Sequence, residues 1–151
     1  MGDVQMKSKA VKVRDFNNRK VLAGFAGSVA DAMNLFEKFE SKLAESNGNL
    51  QKAVVEMAKD WRMDKVLRNL DALLAIMDKD SSYILSGSGD VIEPDDKVIS
   101  IGSGSPFAIS SARAYLDSGM KVPSDIVKRS LAITADLCIY TNDNITIIEG
   151  K

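Results

Sequence analysis

Histidine is absent from this chain of 151 residues, and its one cysteine is Cys138. Without histidine, the chain cannot build a catalytic triad on an imidazole base or a metal site with histidine ligands. With a single cysteine it cannot form an internal disulfide bond, which is typical of proteins from a reducing cytosol. These absences exclude several common enzyme chemistries before any motif is considered.

Long apolar runs and an excess of either charge are also absent. No apolar stretch approaches the roughly 20 residues that cross a bilayer, and the polar, basic first residues do not resemble a signal peptide. The formal net charge of −1 gives no general attraction to nucleic acid or to anionic membranes. We therefore expect a cytoplasmic protein, a single domain over residues 1–151, with neither a membrane nor a nucleic acid as its partner.

The hydrophobic pattern predicts groups of strands that alternate with pairs of helices. The predicted strands are residues 10–14, 20–26, 83–85, 91–92, 97–101, 139–140 and 145–148. The predicted helices are residues 28–45, 50–77, 105–117 and 123–137. Because the helices come in pairs and do not separate every strand, the pattern predicts an α+β fold with antiparallel sheet layers covered by helix pairs.

Polar residues set the predicted boundaries of these elements. Asp15 is expected to end the first strand, because an apolar residue would continue the alternation there. Ser28 and Ser105 are expected to cap the helices that follow them, and Gly48 is expected to end the first helix. The sequence leaves open whether the long helical region bends at Met63.

The stretch from Lys20 to Phe39, KVLAGFAGSVADAMNLFEKF, combines a short strand, two glycines and an amphipathic helix. A strand that ends in glycines at a helix start exposes backbone N–H groups, which suit an anion or an oxyanion. Gly24 and Gly27 are also compatible with a tight connection between two core elements. From the residues alone, the tight connection is the favoured interpretation.

This stretch closely resembles the HslV (ClpQ) family, the proteasome-related peptidase subunits of a bacterial two-component ATP-dependent protease. Four further blocks match the family in the same order. They are MKSKAVKVR at residues 6–14, AKDWRMDKVLRNLDALL at 58–74, IGSGS at 101–105 and ADLCIYTN at 135–142. The resemblance implies the N-terminal-nucleophile hydrolase fold, a four-layer αββα sandwich, here missing its first strand.

The resemblance also implies a function, a threonine-type endopeptidase that degrades polypeptides unfolded by a partner ATPase. In the family, an N-terminal threonine is the nucleophile and its own α-amine is the base. Lys12 matches the catalytic lysine, Ser103 a serine that hydrogen-bonds near the nucleophile, and Gly24 the glycine whose N–H stabilises the oxyanion. Each has a plainer alternative, respectively a solvated strand residue, a turn hydroxyl and a tight bend. Ser105 departs from the family, which usually has a second glycine there.

Further sites follow from the resemblance alone. Ala135, Cys138 and Thr141 match a sodium site made of backbone carbonyls at a helix end, although Cys138 also suits a small buried apolar position. Lys7 and Arg14 match the region that receives the tail of the HslU-type ATPase. The family assembles as two stacked rings of six subunits. ATP is expected to bind the partner, because this chain has no P-loop pattern.

The first residues depart from the family. Met1 to Lys7 align to a point about 21 residues inside the mature family sequence, so we expect the nucleophilic threonine, the first strand and the acidic residue that orients the lysine to be missing. The chain as shown is then expected to be inactive, as a fragment or a start at an internal methionine. The alternative is a non-catalytic structural or interaction subunit, or a remnant.

Overall fold

A computed structural model describes residues 12–138 and 145–151. Within them, five strands form one antiparallel sheet in chain order, and four α-helices form two pairs. The strands are β1 (Val13–Phe16), β2 (Val21–Ala26), β3 (Leu73–Met77), β4 (Ser82–Ser86) and β5 (Val91–Ile92). The helices are α1 (Val29–Glu45), α2 (Leu50–Met63), α3 (Ser105–Asp117) and α4 (Pro123–Leu137). The predicted α+β class and the pairing of the helices are confirmed.

One face of the sheet packs against α1 and α2 and forms the main hydrophobic core. Alternate residues of β2 point into it, so that Val21 and Phe25 are buried while Leu22 lies on the opposite face. Phe16 meets Phe39 of α1 edge to face, with ring centroids 5.1 Å apart. A fully buried side chain of this size contributes about 1.5–3 kcal/mol, so this layer holds α1 and α2 firmly on the sheet.

The first strand continues past its predicted end. Asp15 does not end β1, because its side chain points to solvent while its backbone pairs with Leu22. The next residue, Phe16, is 3% exposed and fills the core. The prediction that Asp15 ends the strand is therefore wrong, since a polar residue on the solvent face is compatible with continued pairing. Ala10 and Val11 lie outside the described residues.

The predicted helix over residues 50–77 is wrong in its second half. The chain leaves α2 at Asp64, whose Oδ1 accepts hydrogen bonds from the N–H groups of Val66 and Leu67, both at 2.9 Å. A single 3-10 turn at Leu67–Asn69 follows, and Leu73–Met77 then pairs with β2 and β4 on either side. A central strand buried on one face carries the same apolar residues as a helix stripe, so pairing with its neighbours decides the outcome.

Most of the predicted helix boundaries hold. Ser28 is the N-cap of α1 and accepts a hydrogen bond from the Asp31 N–H at 3.3 Å. Gly48 follows that helix with a φ of 80°, and its N–H donates to the Leu43 carbonyl at 3.0 Å. In α3, however, the N-cap is Gly104 and Ser105 is the first helical residue, one position earlier than predicted.

The other face of the sheet carries Leu22, Ala75 and Met77, and it is separated from α3 and α4 by an apolar cavity of about 330 Å³. Residues 97–101 and 145–148 border this space but are not strands, contrary to prediction. The reason is that a strand needs a hydrogen-bonded neighbour, and neither segment forms a ladder with other described residues. The predicted strand at residues 139–140 lies outside the described residues.

Candidate active site

Four separate parts of the fold converge on one cavity of about 360 Å³. Lys12 precedes β1, Gly27 follows β2, and Ser103 precedes α3. Thr134, near the end of α4, closes another side. Two of the three predicted catalytic residues, Lys12 and Ser103, therefore line the same cavity.

Lys12 is held in place through its backbone. Its carbonyl accepts a hydrogen bond of 2.9 Å from the N–H of Phe25, and that residue is buried in the core beside α1. Lys12 is a partly buried residue that lines the cavity.

A short turn presents Ser103 to the cavity. Gly102 has a φ of 101°, which favours glycine. The Ser105 N–H donates to the Gly102 carbonyl at 3.1 Å, and the Ser105 hydroxyl donates to the Ser100 carbonyl at 3.0 Å. These two bonds span the turn on both sides of Ser103, so its exposed hydroxyl sits on a fixed backbone. They also give the hydroxyl of Ser105 a structural role in this turn.

The two glycines after Lys20 have different roles. Gly24 lies inside β2 and pairs with Val13 and Ala75, so it makes no tight bend. It lines the apolar cavity behind the site and not the one that Lys12 and Ser103 share. Gly27 makes the sharp turn, with a φ of 148°, and a Cβ there would lie 2.6 Å from the Phe25 ring. The backbone beside the cavity is therefore shaped by Gly27.

Sequence reasoning missed the part that Thr134 plays. Its side chain is 1% exposed, and its hydroxyl donates to the Ser130 carbonyl at 2.8 Å. Its spacing is a recognisable signal, because Ile126, Ser130 and Thr134 recur every four residues and form the buried side of α4. The bond to its own helix satisfies the hydroxyl, so Thr134 shapes the wall of the cavity.

The predicted sodium site lies partly within the described residues. Ala135 is in the last turn of α4, and Cys138 is the C-cap, buried, with its N–H donating to the Thr134 carbonyl at 2.8 Å. Carbonyls in a last turn have no partner within their helix and carry partial negative charge, which suits a hard cation. Thr141 lies outside the described residues. No side-chain cluster of metal-binding type occurs among residues 12–138 and 145–151.

Of the two predicted partner-binding residues, only Arg14 is described, since Lys7 lies outside the described residues. Its Nη2 atom is 3.2 Å from Oε1 of Glu40 in α1. The guanidinium also lies 5.2 Å from the ring centroid of Phe16. Arg14 thus links the sheet to α1, and about a third of its side chain stays exposed.

Electrostatic pairing also fixes the segment that leads into the Ser103 turn. The guanidinium of Arg113 in α3 bonds to the Asp96 carboxylate, with Nε 2.7 Å from Oδ2. This bond holds the pKa of Asp96 below its usual value, with a smaller contribution from the N–H of Val98. The ion pair attaches the segment to α3 from outside the cavity.

Comparisons with known proteins show that the chain is similar to proteasome-type subunits. Residues 1–149 match a family described as "Proteasome subunit". The chain is 54% identical to the ATP-dependent protease subunit HslV of Caldicellulosiruptor saccharolyticus over 95% of this chain and 82% of that protein. It is 55% identical to the subunit of the same name from Pseudothermotoga lettingae, over 98% of this chain and 84% of that protein.

The same likeness holds in three dimensions. The crystal structure of eukaryotic HslV from Trypanosoma brucei superposes with a TM-score of 0.79 at 39% sequence identity. The superposition covers 87% of this chain and 76% of that one.

Among the described residues, none of the helices combines the length and the apolar character that a membrane span requires.

Proposed function

This chain belongs to the proteasome subunit family, and from that premise we propose that it is the peptidase subunit of an ATP-dependent protease of the HslV type. The observation that carries the proposal is the convergence of Lys12 and Ser103 on one cavity, beside the turns at Gly27 and Gly102. The match extends over nearly the whole chain, so the proposal does not depend on a single motif.

The proposed chemistry is that of a threonine peptidase. An N-terminal threonine hydroxyl attacks the peptide carbonyl, and the α-amine of the same residue accepts the proton. An ammonium close to an α-amine lowers its pKa by like-charge repulsion and keeps the amine neutral and basic. In this proposal Lys12 supplies that charge, and the Ser103 hydroxyl hydrogen-bonds beside the reacting group.

Stabilisation of the oxyanion is assigned to a backbone N–H group of β2. By family resemblance this role falls to the N–H of Gly24, which lies within β2 and beside the neighbouring apolar cavity. Donors fixed in place before the reaction stabilise developing charge without reorganisation, which is a large contribution to catalysis. The buried residues on either side of Gly24 make β2 a rigid support for such a donor.

Assembly and partners are part of the same proposal. Two stacked rings of six copies would enclose the sites, and an HslU-type ATPase would bind ATP and feed unfolded polypeptide inward. Lys7 and Arg14 would receive the tail of that ATPase, and the complex would act in the cytoplasm. Carbonyls near Ala135 and Cys138 would hold a sodium ion together with Thr141, and this ion would brace the end of α4.

The test is peptide hydrolysis in the presence of the partner ATPase, ATP and sodium. Two proteins are compared, this chain and a version extended by a threonine-first N-terminal segment of the family. Hydrolysis by the extended chain, with none by this chain, supports threonine chemistry at the Lys12 site. Ring assembly by both proteins without hydrolysis by either points instead to a non-catalytic structural subunit.

A further inference from the structure

A second cavity of about 590 Å³ opens beside the candidate active site. It shares Ala26, Gly27, Gly102 and Ser103 with the cavity that contains Lys12. The two spaces therefore meet at the turn after β2 and at the turn before α3. A polypeptide lying across Ser103 would place one side chain in each of the two cavities.

The far wall of this second cavity is rigid. Gly87, in the turn between β4 and β5, lies so close to the 3-10 turn that a Cβ would be 2.9 Å from the Arg68 carbonyl oxygen. That turn is held in its own right, because the buried Trp61 donates a hydrogen bond of 2.8 Å from Nε1 to the Leu67 carbonyl. A binding surface on this wall is therefore formed before any ligand arrives.

A chain of hydrogen bonds runs along the same wall and ends at the cavity. The Ser88 hydroxyl donates to Oδ2 of Asp90 at 2.8 Å, and the oxygens of Ser86 and Ser88 are also 2.8 Å apart. A carboxylate accepts only, so the proton of Ser88 is committed to Asp90 and the proton of Ser86 to Ser88. The Ser86 oxygen is thus left as an acceptor towards the cavity.

Two charged side chains complete the wall. Arg68 and Asp71 both line the cavity and are both exposed. Neither forms an ion pair within 4.0 Å with any residue that the structure describes. The wall therefore presents acceptors at Ser86 and Asp71 and a donor at Arg68.

We propose that this cavity is a subsite that binds an amide side chain, glutamine or asparagine, of the polypeptide substrate. The NH₂ group of the amide donates to Ser86 and Asp71, and its carbonyl accepts from Arg68. A lysine side chain only donates and cannot pair with Arg68, a glutamate only accepts and cannot pair with Ser86 or Asp71, and an apolar side chain pairs with none of them. This inference rests on the proposed peptidase function and adds a substrate preference to it.

Peptide binding to the full chain tests the subsite without requiring turnover. Unstructured fluorescent peptides of one sequence carry glutamine, methionine, lysine or glutamate at a single position, scanned along the peptide, and Kd is measured by anisotropy. Methionine is the matched control, because it resembles glutamine in length and forms no strong hydrogen bond. At one position, glutamine should bind about fivefold more tightly than methionine, the effect of one or two net hydrogen bonds.

Two substitutions locate the preference. Ser86→Ala should reduce the ratio between glutamine and methionine to less than about twofold. Ser118→Ala should leave the ratio unchanged, because that hydroxyl donates to the Tyr115 carbonyl in α3 and not to the cavity. Asp71→Ala, at an exposed site, should also reduce the ratio between glutamine and methionine. It replaces Ser86→Ala as the test if circular dichroism shows that Ser86→Ala impairs folding.

Several results would overturn the subsite. They are the absence of any glutamine preference in the unmodified chain, a preference that survives both Ser86→Ala and Asp71→Ala, and no peptide binding at all. Peptide hydrolysis is measured separately on the threonine-first version. Hydrolysis without a glutamine preference removes the subsite and leaves the proposed function, whereas a preference in binding without hydrolysis retains the subsite and counts against the catalytic role.

Discussion

Individual residues at the site are held mainly by hydrogen bonds to the backbone around them. The carbonyl of Lys12 is bonded to Phe25, and the turn around Ser103 is spanned by the two bonds of Ser105. The Asp96–Arg113 ion pair holds the segment leading into that turn. Substitutions at such supporting residues should change stability and position, whereas substitutions within the cavity should change chemistry.

The ion pair between Asp96 and Arg113 predicts a pH-dependent stability. The pKa of Asp96 is lowered in the folded state, mainly by its bond to Arg113. This contribution is therefore present above the unfolded pKa of about 3.9 and is lost as the pH falls through the lower, folded value. Arg113→Gln should destabilise the protein at neutral pH, and the difference from the unmodified chain should shrink at acid pH.

Urea unfolding measured from pH 7 down to the acid limit checks this prediction. Arg129→Gln is the matched control, because Arg129 is an exposed arginine of α4 with no ion pair to the described residues. A stability difference for Arg113→Gln that stays constant with pH would show that the ion pair is not its cause.

At the scale of elements, the turn after β2 depends on one glycine. In Gly27→Ala, the new Cβ would lie 2.6 Å from the Phe25 ring, at a φ of 148°. We expect a loss of about 1–3 kcal/mol in unfolding free energy, since both the contact and the backbone are unfavourable. Chemical denaturation measures it directly.

Gly119→Ala separates the two contributions. Gly119 also has a positive φ, of 97°, but a Cβ there meets no atom within 4 Å. Its cost should be about 1 kcal/mol, from the backbone alone. Equal losses at both positions would mean that the Phe25 contact does not constrain the turn.

The third strand gives a second prediction for an element. Leu74 is fully buried between the sheet and α1–α2. Leu74→Ala should lower the unfolding free energy by about 2–5 kcal/mol, through lost burial and the cavity that it leaves. Leu137→Ala, at a position 61% exposed, should change it by less than about 0.5 kcal/mol. Similar effects for the two variants in urea unfolding would contradict the burial of β3.

The same strand shows how far sequence reasoning reaches. Helix α1 could be predicted almost to the residue, because Ser28 caps it and its apolar stripe has helical spacing. Residues 73–77 could not, because an apolar run of five is compatible with a helix or a strand until its partners are known. Phe16 was missed for a related reason, since pairing carries β1 past the polar Asp15.

The site divides in the same way. Family resemblance predicted Lys12 and Ser103, and the structure brings both to one cavity. Spacing could not predict the close approach of Gly27 to Phe25, or the direction of the hydrogen bonds from Ser86 to Asp90, because both depend on turns between elements. Contacts between distant segments are set by the assembled fold and leave little trace in local pattern.

At the scale of the whole molecule, the two halves are packed differently. The sheet and α1–α2 enclose a continuous core, whereas an apolar cavity of about 330 Å³ separates the sheet from α3–α4. Ser130 faces this space, and its buried hydroxyl has no hydrogen-bond partner in the described structure. Since the site is built where these halves meet, its geometry depends on how firmly they are held together.

The most direct measurement is the peptide hydrolysis rate of the threonine-first version carrying Lys12→Ala, with the partner ATPase, ATP and sodium present. The matched control is Lys20→Ala, at an exposed position next to the β1–β2 turn. We expect Lys12→Ala to lower the rate by more than about a hundredfold, with ring assembly intact and Lys20→Ala near the unmodified rate. Unmodified turnover in Lys12→Ala would contradict the assignment of this cavity as the active site.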